Sequence, residues 1–332
     1  MPKSNSRTHI LGLGHFVPGP VLTNHDLEQM VDTTDEWITI RTGIKERRIA
    51  RGLACSDLAL EASKQALASA SVHPEDLTHI LLATFTGDYN NPNTACVLQD
   101  KLGAVNCQMA MDISAGCSGF VYGLETVRGM THLDPEANIL LVGSEVCTSR
   151  LNFQDRNTCV LFGDGAGAAV ISGSDPENPA VVDSLLKSEG SMGHLLPVGR
   201  EGGSFAPLEL GQTVSEDYFV RMNGRELFRL GVRGMADLCS RILERNGLGI
   251  GDVDLFIPHQ ANLRIIEGVA KKMQFPMERI YVNVNRYGNT SAASVILALS
   301  EARAGGYIQE GTTVLMVAFG AGLTLGASIV QF

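Results

Sequence analysis

The stretch FGDGAGAAVIS begins at Phe162, and FGAGLTLGASIVQF begins at Phe319, 157 positions further on. Each copy leaves a Phe-Gly turn and enters an apolar run that reads as a strand. Other features recur at a comparable offset: Cys117 and Asn289, each just ahead of a helix candidate, are 172 apart. Two copies of one βα half, packed face to face, account for both, although a Gly-Ala-rich composition can also generate such a pair.

Around the repeat, short β-branched runs alternate with longer amphipathic segments, the pattern of an α/β protein. Strands are expected at 79–85, 107–113, 138–144, 166–172, 254–258, 280–285, 313–319 and 323–331. Helices are expected near 24–38, 56–71, 93–102, 118–132, 222–246, 261–273 and 291–305, from their 3.6-residue periodicity. Ser56 and Asp57 suit a helix start, and Gly247 suits a stop. Residues 174–221 (SDPENP, LPVGREGGSF) lack periodicity and read as a linker with surface excursions. The expected division is therefore 1–174, carrying a candidate nucleophile, and 175–332.

The bulk composition narrows the function. A chain of 332 residues that is 44% hydrophobic supports one large core or two medium ones. A net charge of −10 argues against nucleic acid as a general partner, since nothing neutralises phosphates across a broad surface. The seven cysteines (55, 96, 107, 117, 147, 159 and 239) are odd in number and form no C-x-x-C pair, which fits a reducing cytosol. MPKSNSRTHILGLGHF is too broken for a signal peptide, and no run of about 18 apolar residues occurs. A cytoplasmic protein without a membrane partner is expected.

Three polar residues stand at strand-to-helix turns. Cys117, in MDISAGCSGF, follows a strand candidate and opens a helix, where the positive end of the helix dipole favours a thiolate. Its own N–H points towards a developing oxyanion. The other six cysteines read as small buried residues. His259, in DLFIPHQANLR, sits at a strand's C-terminal edge, where catalytic groups collect in α/β proteins. Asn289, in NRYGNTSAAS, more often caps a helix than serves chemistry. Together they supply a nucleophile and two neutral donors for an enolate oxygen. The turn Gly320-Ala321-Gly322 brings a backbone N–H near the sulfur.

These motifs, with Gly12, Gly14 and Pro18, DEWITIRTGI at 35–44, AGCSGF, PHQANLR, GNTSAAS and FGAG, closely resemble β-ketoacyl-acyl-carrier-protein synthase III. The resemblance spans Gly12 to Phe332. It implies a thiolase-like five-layer αβαβα fold made of two related halves, and a homodimer. It implies Cys117 as acyl-accepting nucleophile and His259 with Asn289 as the decarboxylation pair. The implied reaction condenses an acyl-CoA primer, acetyl-CoA by default, with malonyl-acyl carrier protein. No cofactor or metal is implied, since acyl-CoA is a substrate. The implied CoA contacts are Trp37, Arg41, Arg156, Met222, Phe228, Ala261 and Asn262. The implied carrier-protein contacts are Gln260 to Arg264 (with Ala261, Asn262 and Leu263) and Arg229, because basic groups suit an acidic carrier.

Three departures stand out. Asn91, with Tyr89 nearby, occupies the position from which the family closes the acyl pocket across the dimer, where acetyl-preferring members often have Phe. Arg225 replaces an Asn of some members, and Ala321 replaces a Gly. A thiolase would need a second Cys in FGAG, and an elongating synthase a second His in place of Asn289. A specialised ketide or quinolone-type synthase, or a medium-chain-primed one, keeps the same triad. A non-catalytic acyl-binding subunit would not need it.

Overall fold

Ile139–Glu145 (ILLVGSE), Gly165–Ser172 and Thr313–Gly320 (TVLMVAFG) are buried at every position. Strands of that kind need cover on both faces, and the chain provides it twice. The computed structural model describes residues 8–174, 179–199 and 218–332.

The first half runs β1 (His9–Phe16), a small β2–β3 ribbon (Val21–Thr23, Glu46–Arg48) enclosing α1 (Asn24–Glu28) and α2 (Asp35–Thr42), then α3 (Cys55–Ala70), β4 (His79–Ala83), α4 (Thr94–Leu102), β5 (Met109–Ile113), α5 (Gly119–Leu133), β6 (Ile139–Glu145), α6 (Arg156–Cys159) and β7 (Gly165–Ser172). The second runs β8 (Ala180–Ser188), α7 (Gly224–Arg245), β9 (Leu255–Pro258), α8 (Leu263–Met273), α9 (Val284–Tyr287), α10 (Ala293–Ala304), β10 (Thr313–Gly320) and β11 (Thr324–Gln331).

The strand order is β5-β4-β6-β7-β1 followed by β8-β11-β10-β9. Within the strand order the halves meet at β1 and β8, where His9 pairs with Ala180. Outward from that seam each half repeats one pattern: two antiparallel neighbours, then parallel strands. Helices α3 and α4 cover the strands of the first half, α7 with α8 beside it covers those of the second, and α5 and α10 lie between the two halves. This is the five-layer αβαβα arrangement implied by the resemblance. The Phe162 and Phe319 repeats enter β7 and β11, the equivalent strands.

Several sequence expectations are corrected. Residues 174–221 are not simply a linker: β8 lies inside the sheet, laddered along its length to β11. Its V-V-D-S-L-L core carries too mixed a pattern to show this without its neighbours. The strand expected at 280–285 reduces to one bridge, Ile280 with Phe256. Gln260 Oε1 accepts the backbone N–H groups of Asn283 and Val284, which a ladder would need, and the chain turns into α9. The single helix expected over 24–38 is two, because Thr23 and Thr34 each cap a separate start. β1 escaped the apolar-run reading because glycines interrupt it. A Cβ on Gly14 would lie 2.2 Å from the Ala62 carbonyl of α3, so the glycine is needed for that close helix contact.

Candidate active site

Cys117 lies in a tight turn, Gly116–Ser118, between β5 and α5. Gly116 has φ +52°, a conformation natural to glycine. The turn is strapped to the other half: Ser118 Oγ donates to the Thr324 carbonyl at 3.0 Å, and Thr324 Oγ1 donates to the Ala115 carbonyl at 2.8 Å. At the end of β10, a Cβ on Gly320 would stand 2.5 Å from the Cys117 nitrogen. Only glycine lets that strand come so close to Cys117. Ala321 packs against Gly116, and its methyl group is accommodated.

His259 follows β9 and is 1% exposed. Its ring sits where removing charge from water is costly, and burial pushes its pKa down to about 3. The imidazole is therefore neutral. Ser294 Oγ, at the start of α10, accepts the Gln260 N–H at 2.8 Å and lies 2.8 Å from His259 Nδ1. Donation of the serine proton to Nδ1 leaves the ring proton on Nε2. Asn289 is fixed in the same way. Its Oδ1 accepts the Ser291 N–H at 2.9 Å, which turns the Nδ2 donors the other way.

Cys117, His259 and Asn289 share one cavity of about 570 Å³. Trp37, Arg41, Arg156, Met222, Phe228, Ala261, Asn262 and Arg264 line it as well. Both Arg41 and Arg156 place their guanidinium carbon 5.2 Å from the Trp37 ring centroid, forming a flat cationic rim. Arg264 lies 5.7 Å from the Phe228 ring. Arg225 also lines this cavity. Asn262 in addition caps α8 and donates to the Arg41 carbonyl. A second cavity of about 320 Å³ opens on the other side of Cys117, between Phe85, Val198, Val220, Ser291 and the 321–322 turn. Phe162 and Leu196 border both cavities.

Not every expected residue is placed there. Gln260 is 1% exposed, and its amide is occupied by Pro258, Tyr281, Asn283 and Val284. It is a buried strut, which corrects the expected carrier-protein contact. Leu263 is half-buried and packs over Gly43. Arg229 is exposed beside Arg225, Arg233 and Lys272. Tyr89 and Asn91 are exposed and line neither cavity of this chain.

The electrostatics of the thiol also differ from expectation. Burial pushes the Cys117 thiol up to about 11, with only partial relief from Ser291. The helix end favours a thiolate, but desolvation wins. Three further residues were missed by sequence reading. Ser294 orients the histidine, while Ser291 and the buried acid Glu145 lie next to the thiol. GNTSAAS contains both serines, and their spacing from Asn289 at a helix start was the available signal. Glu145, inside an apolar strand, had only its incongruity.

The chain matches the family model of 3-oxoacyl-[acyl-carrier-protein (ACP)] synthase III over residues 111–190 and that of its C terminal over residues 243–332. It is 50% identical over 329 residues to the beta-ketoacyl-[acyl-carrier-protein] synthase III of Oleidesulfovibrio alaskensis, spanning 98% of this chain and 99% of that relative. It is 51% identical over 324 residues to the Nitratidesulfovibrio vulgaris protein of the same name, spanning 97% of each. The crystal structure of 3-oxoacyl-[acyl-carrier-protein] synthase III from Aquifex aeolicus superposes with a TM-score of 0.89 at 43% identity, covering 98% of this chain and 100% of that one.

Proposed function

The chain belongs to the β-ketoacyl-[acyl-carrier-protein] synthase III family, acyltransferases that initiate fatty acid synthesis, and on that premise we propose how its residues divide the work. Cys117 attacks the carbonyl of an acyl-CoA primer, acetyl-CoA by default, and carries the acyl group as a thioester. Its own N–H, with the Gly320–Gly322 turn at its back, stabilises the tetrahedral oxyanion. CoA leaves through the cavity rimmed by Trp37, Arg41 and Arg156, and malonyl-acyl carrier protein enters the same way. Loss of CO2 generates an enolate, which attacks the acyl carbon to give a 3-oxoacyl-acyl carrier protein. His259 Nε2–H and Asn289 Nδ2–H donate to the enolate oxygen as charge develops.

The observation that carries this reading is the neutrality of both donors. A protonated imidazole would hold the malonyl carboxylate as an ion pair and resist its departure. A neutral N–H favours the enolate without trapping the acid. Arg264 in the cavity wall, and the exposed Arg229 beside Arg225, are docking groups for an acidic carrier protein. The apolar 320 Å³ cavity behind Cys117 receives the primer's acyl chain. By resemblance, a second copy of the chain closes that cavity with its 87–94 loop, in a homodimer. The division into halves at 174/175 is supported by the repeated strand order. Among the described residues no helix is long and apolar enough to cross a membrane.

A panel of acyl-CoA primers from acetyl to octanoyl, each with malonyl-acyl carrier protein, tests this. We expect acetyl-CoA to be the best primer and mass spectrometry to find its acyl group on Cys117. An adduct on another cysteine overturns the nucleophile, and a preference for octanoyl overturns the primer.

A further inference from the structure

Glu145 ends β6 and is completely buried, yet the condensation as described above does not use it. Its Oε2 is held by three donors: Thr84 Oγ1 at 3.0 Å, Thr86 Oγ1 at 2.6 Å and the Phe85 N–H at 3.2 Å. Among the described residues its Oε1 has no hydrogen-bond partner, and neither has the hydroxyl of Ser291. Ser291 lies within reach of both the Cys117 thiol and the Glu145 carboxyl, and it faces the same small cavity as Cys117. It is held in the left-handed region at φ +49°, an unusual conformation for a residue with a side chain. A buried acid normally has both oxygens satisfied. Here one oxygen is fixed, the other is left open, and an uncommitted hydroxyl stands between it and the nucleophile.

We propose that Glu145 receives the Cys117 thiol proton through the Ser291 hydroxyl and holds it for the lifetime of the acyl-enzyme. The inference rests on Cys117 being the nucleophile. The buried thiol needs an acceptor, and the neutral His259, with Nδ1 engaged by Ser294, is a poor one. In the forward step the S–H proton passes to Ser291 Oγ as the Ser291 proton passes to Glu145 Oε1. The products are a thiolate, an unchanged serine and a neutral acid. The thiolate forms its C–S bond to the acyl group, and the departing CoA thiolate takes a proton from solvent. When condensation frees the sulfur as a thiolate, the relay runs backwards and restores both thiol and carboxylate. Glu145 is thus a positioning residue, acting on the nucleophile through Ser291.

The surroundings suit a group that changes charge near neutrality. Burial raises the Glu145 pKa to about 7, against the hydrogen bonds from Thr86, Phe85 and Thr84 and the nearness of the Ser291 hydroxyl. The thiols of Cys55 and Cys147, on the elements packed around it, are pushed up by burial and stay neutral. The other acids felt by these thiols are engaged elsewhere, Asp164 by Thr148 and Ala50 and Asp88 by Ser56.

The test is the single-turnover rate of CoA release from acetyl-CoA, measured against pH. In the wild-type enzyme the rate should rise through a transition near pH 7 and then level. Glu145→Gln should be slower at pH 7 by roughly 100-fold, with a rate that climbs about tenfold per pH unit towards the thiol's own ionisation. Ser291→Ala should reproduce that profile with Glu145 intact, and it serves if the Gln variant does not fold. A wild-type rate and an unshifted profile in either folded variant overturn the relay. On the unmodified enzyme, infrared difference spectra at pH 8 should gain a protonated-carboxyl band on acylation, and its absence overturns the proposal. Mass spectrometry of the adduct keeps two failures apart. An acyl group on Cys117 with a normal Gln profile rejects only the relay, whereas one elsewhere rejects the nucleophile.

Discussion

The donor roles proposed for His259 and Asn289 each depend on a neighbouring serine. The Ser291 N–H donates to Asn289 Oδ1, and the Ser294 hydroxyl lies 2.8 Å from His259 Nδ1. Removing one such donor costs about 100- to 1,000-fold in the step it serves. His259→Ala and Asn289→Ala should each slow release of CO2 from malonyl-acyl carrier protein by that factor. Both should still acylate Cys117, because the first tetrahedral oxyanion is assigned to the Cys117 N–H rather than to these donors. Quantified CO2 release beside intact-mass spectra checks both halves, and a normal rate of decarboxylation in either variant refutes the role. Because the folded pKa of His259 is about 3, its ionisation should leave no mark on the rate profile between pH 5 and 9.

At the scale of elements, the site is a meeting of ends. The turn before α5 comes from one half, while the ends of β9 and β10 and the start of α10 come from the other. Gly320 is where two of them touch. Gly320→Ala places a methyl group 2.5 Å from the Cys117 nitrogen, closer than carbon and nitrogen pack. Either β10 or the turn must move, at a cost of about 1–3 kcal/mol. We expect a lower melting temperature together with a loss of self-acylation larger than the loss of stability explains. Denaturation and single-turnover acylation of the same preparation measure both. Normal acylation would show that the turn does not fix the nucleophile.

At the scale of the whole molecule, buried ionisable groups make stability depend on pH. The pKa of Glu145 rises from 4.5 to about 7 on folding, so the folded state binds more of its proton between those values. That contribution to stability is fully present below pH 4.5, declines as pH rises through the window and is flat above pH 7. His259 acts in the opposite sense below pH 6.5, but it is shared by wild type and variant. The stability of wild type minus that of Glu145→Gln should therefore fall by up to about 1.4 kcal/mol per pH unit between pH 4.5 and 7. Denaturant unfolding of both proteins across that range tests the sign, and a flat difference contradicts the assignment.

That Cys117, His259 and Asn289 share one cavity was legible from their places at strand-to-helix turns, where a chain can present polar side chains to a common site. The duplication was legible too, since FGDGAGAAVIS and FGAGLTLGASIVQF serve equivalent strands. Local sequence determines such features because they depend on neighbours a few positions away. What tertiary structure alone decided is different in kind. β8 belongs to the sheet because β1 and β11 flank it, and Gln260 is a buried strut because 258, 281, 283 and 284 surround it. The thiol beside the helix end is held protonated because desolvation outweighs the dipole. Glu145 lies next to Ser291 although they are 146 positions apart in the chain. Burial and distance through space set pKa, exposure and partnership, and those quantities exist only once the chain has packed.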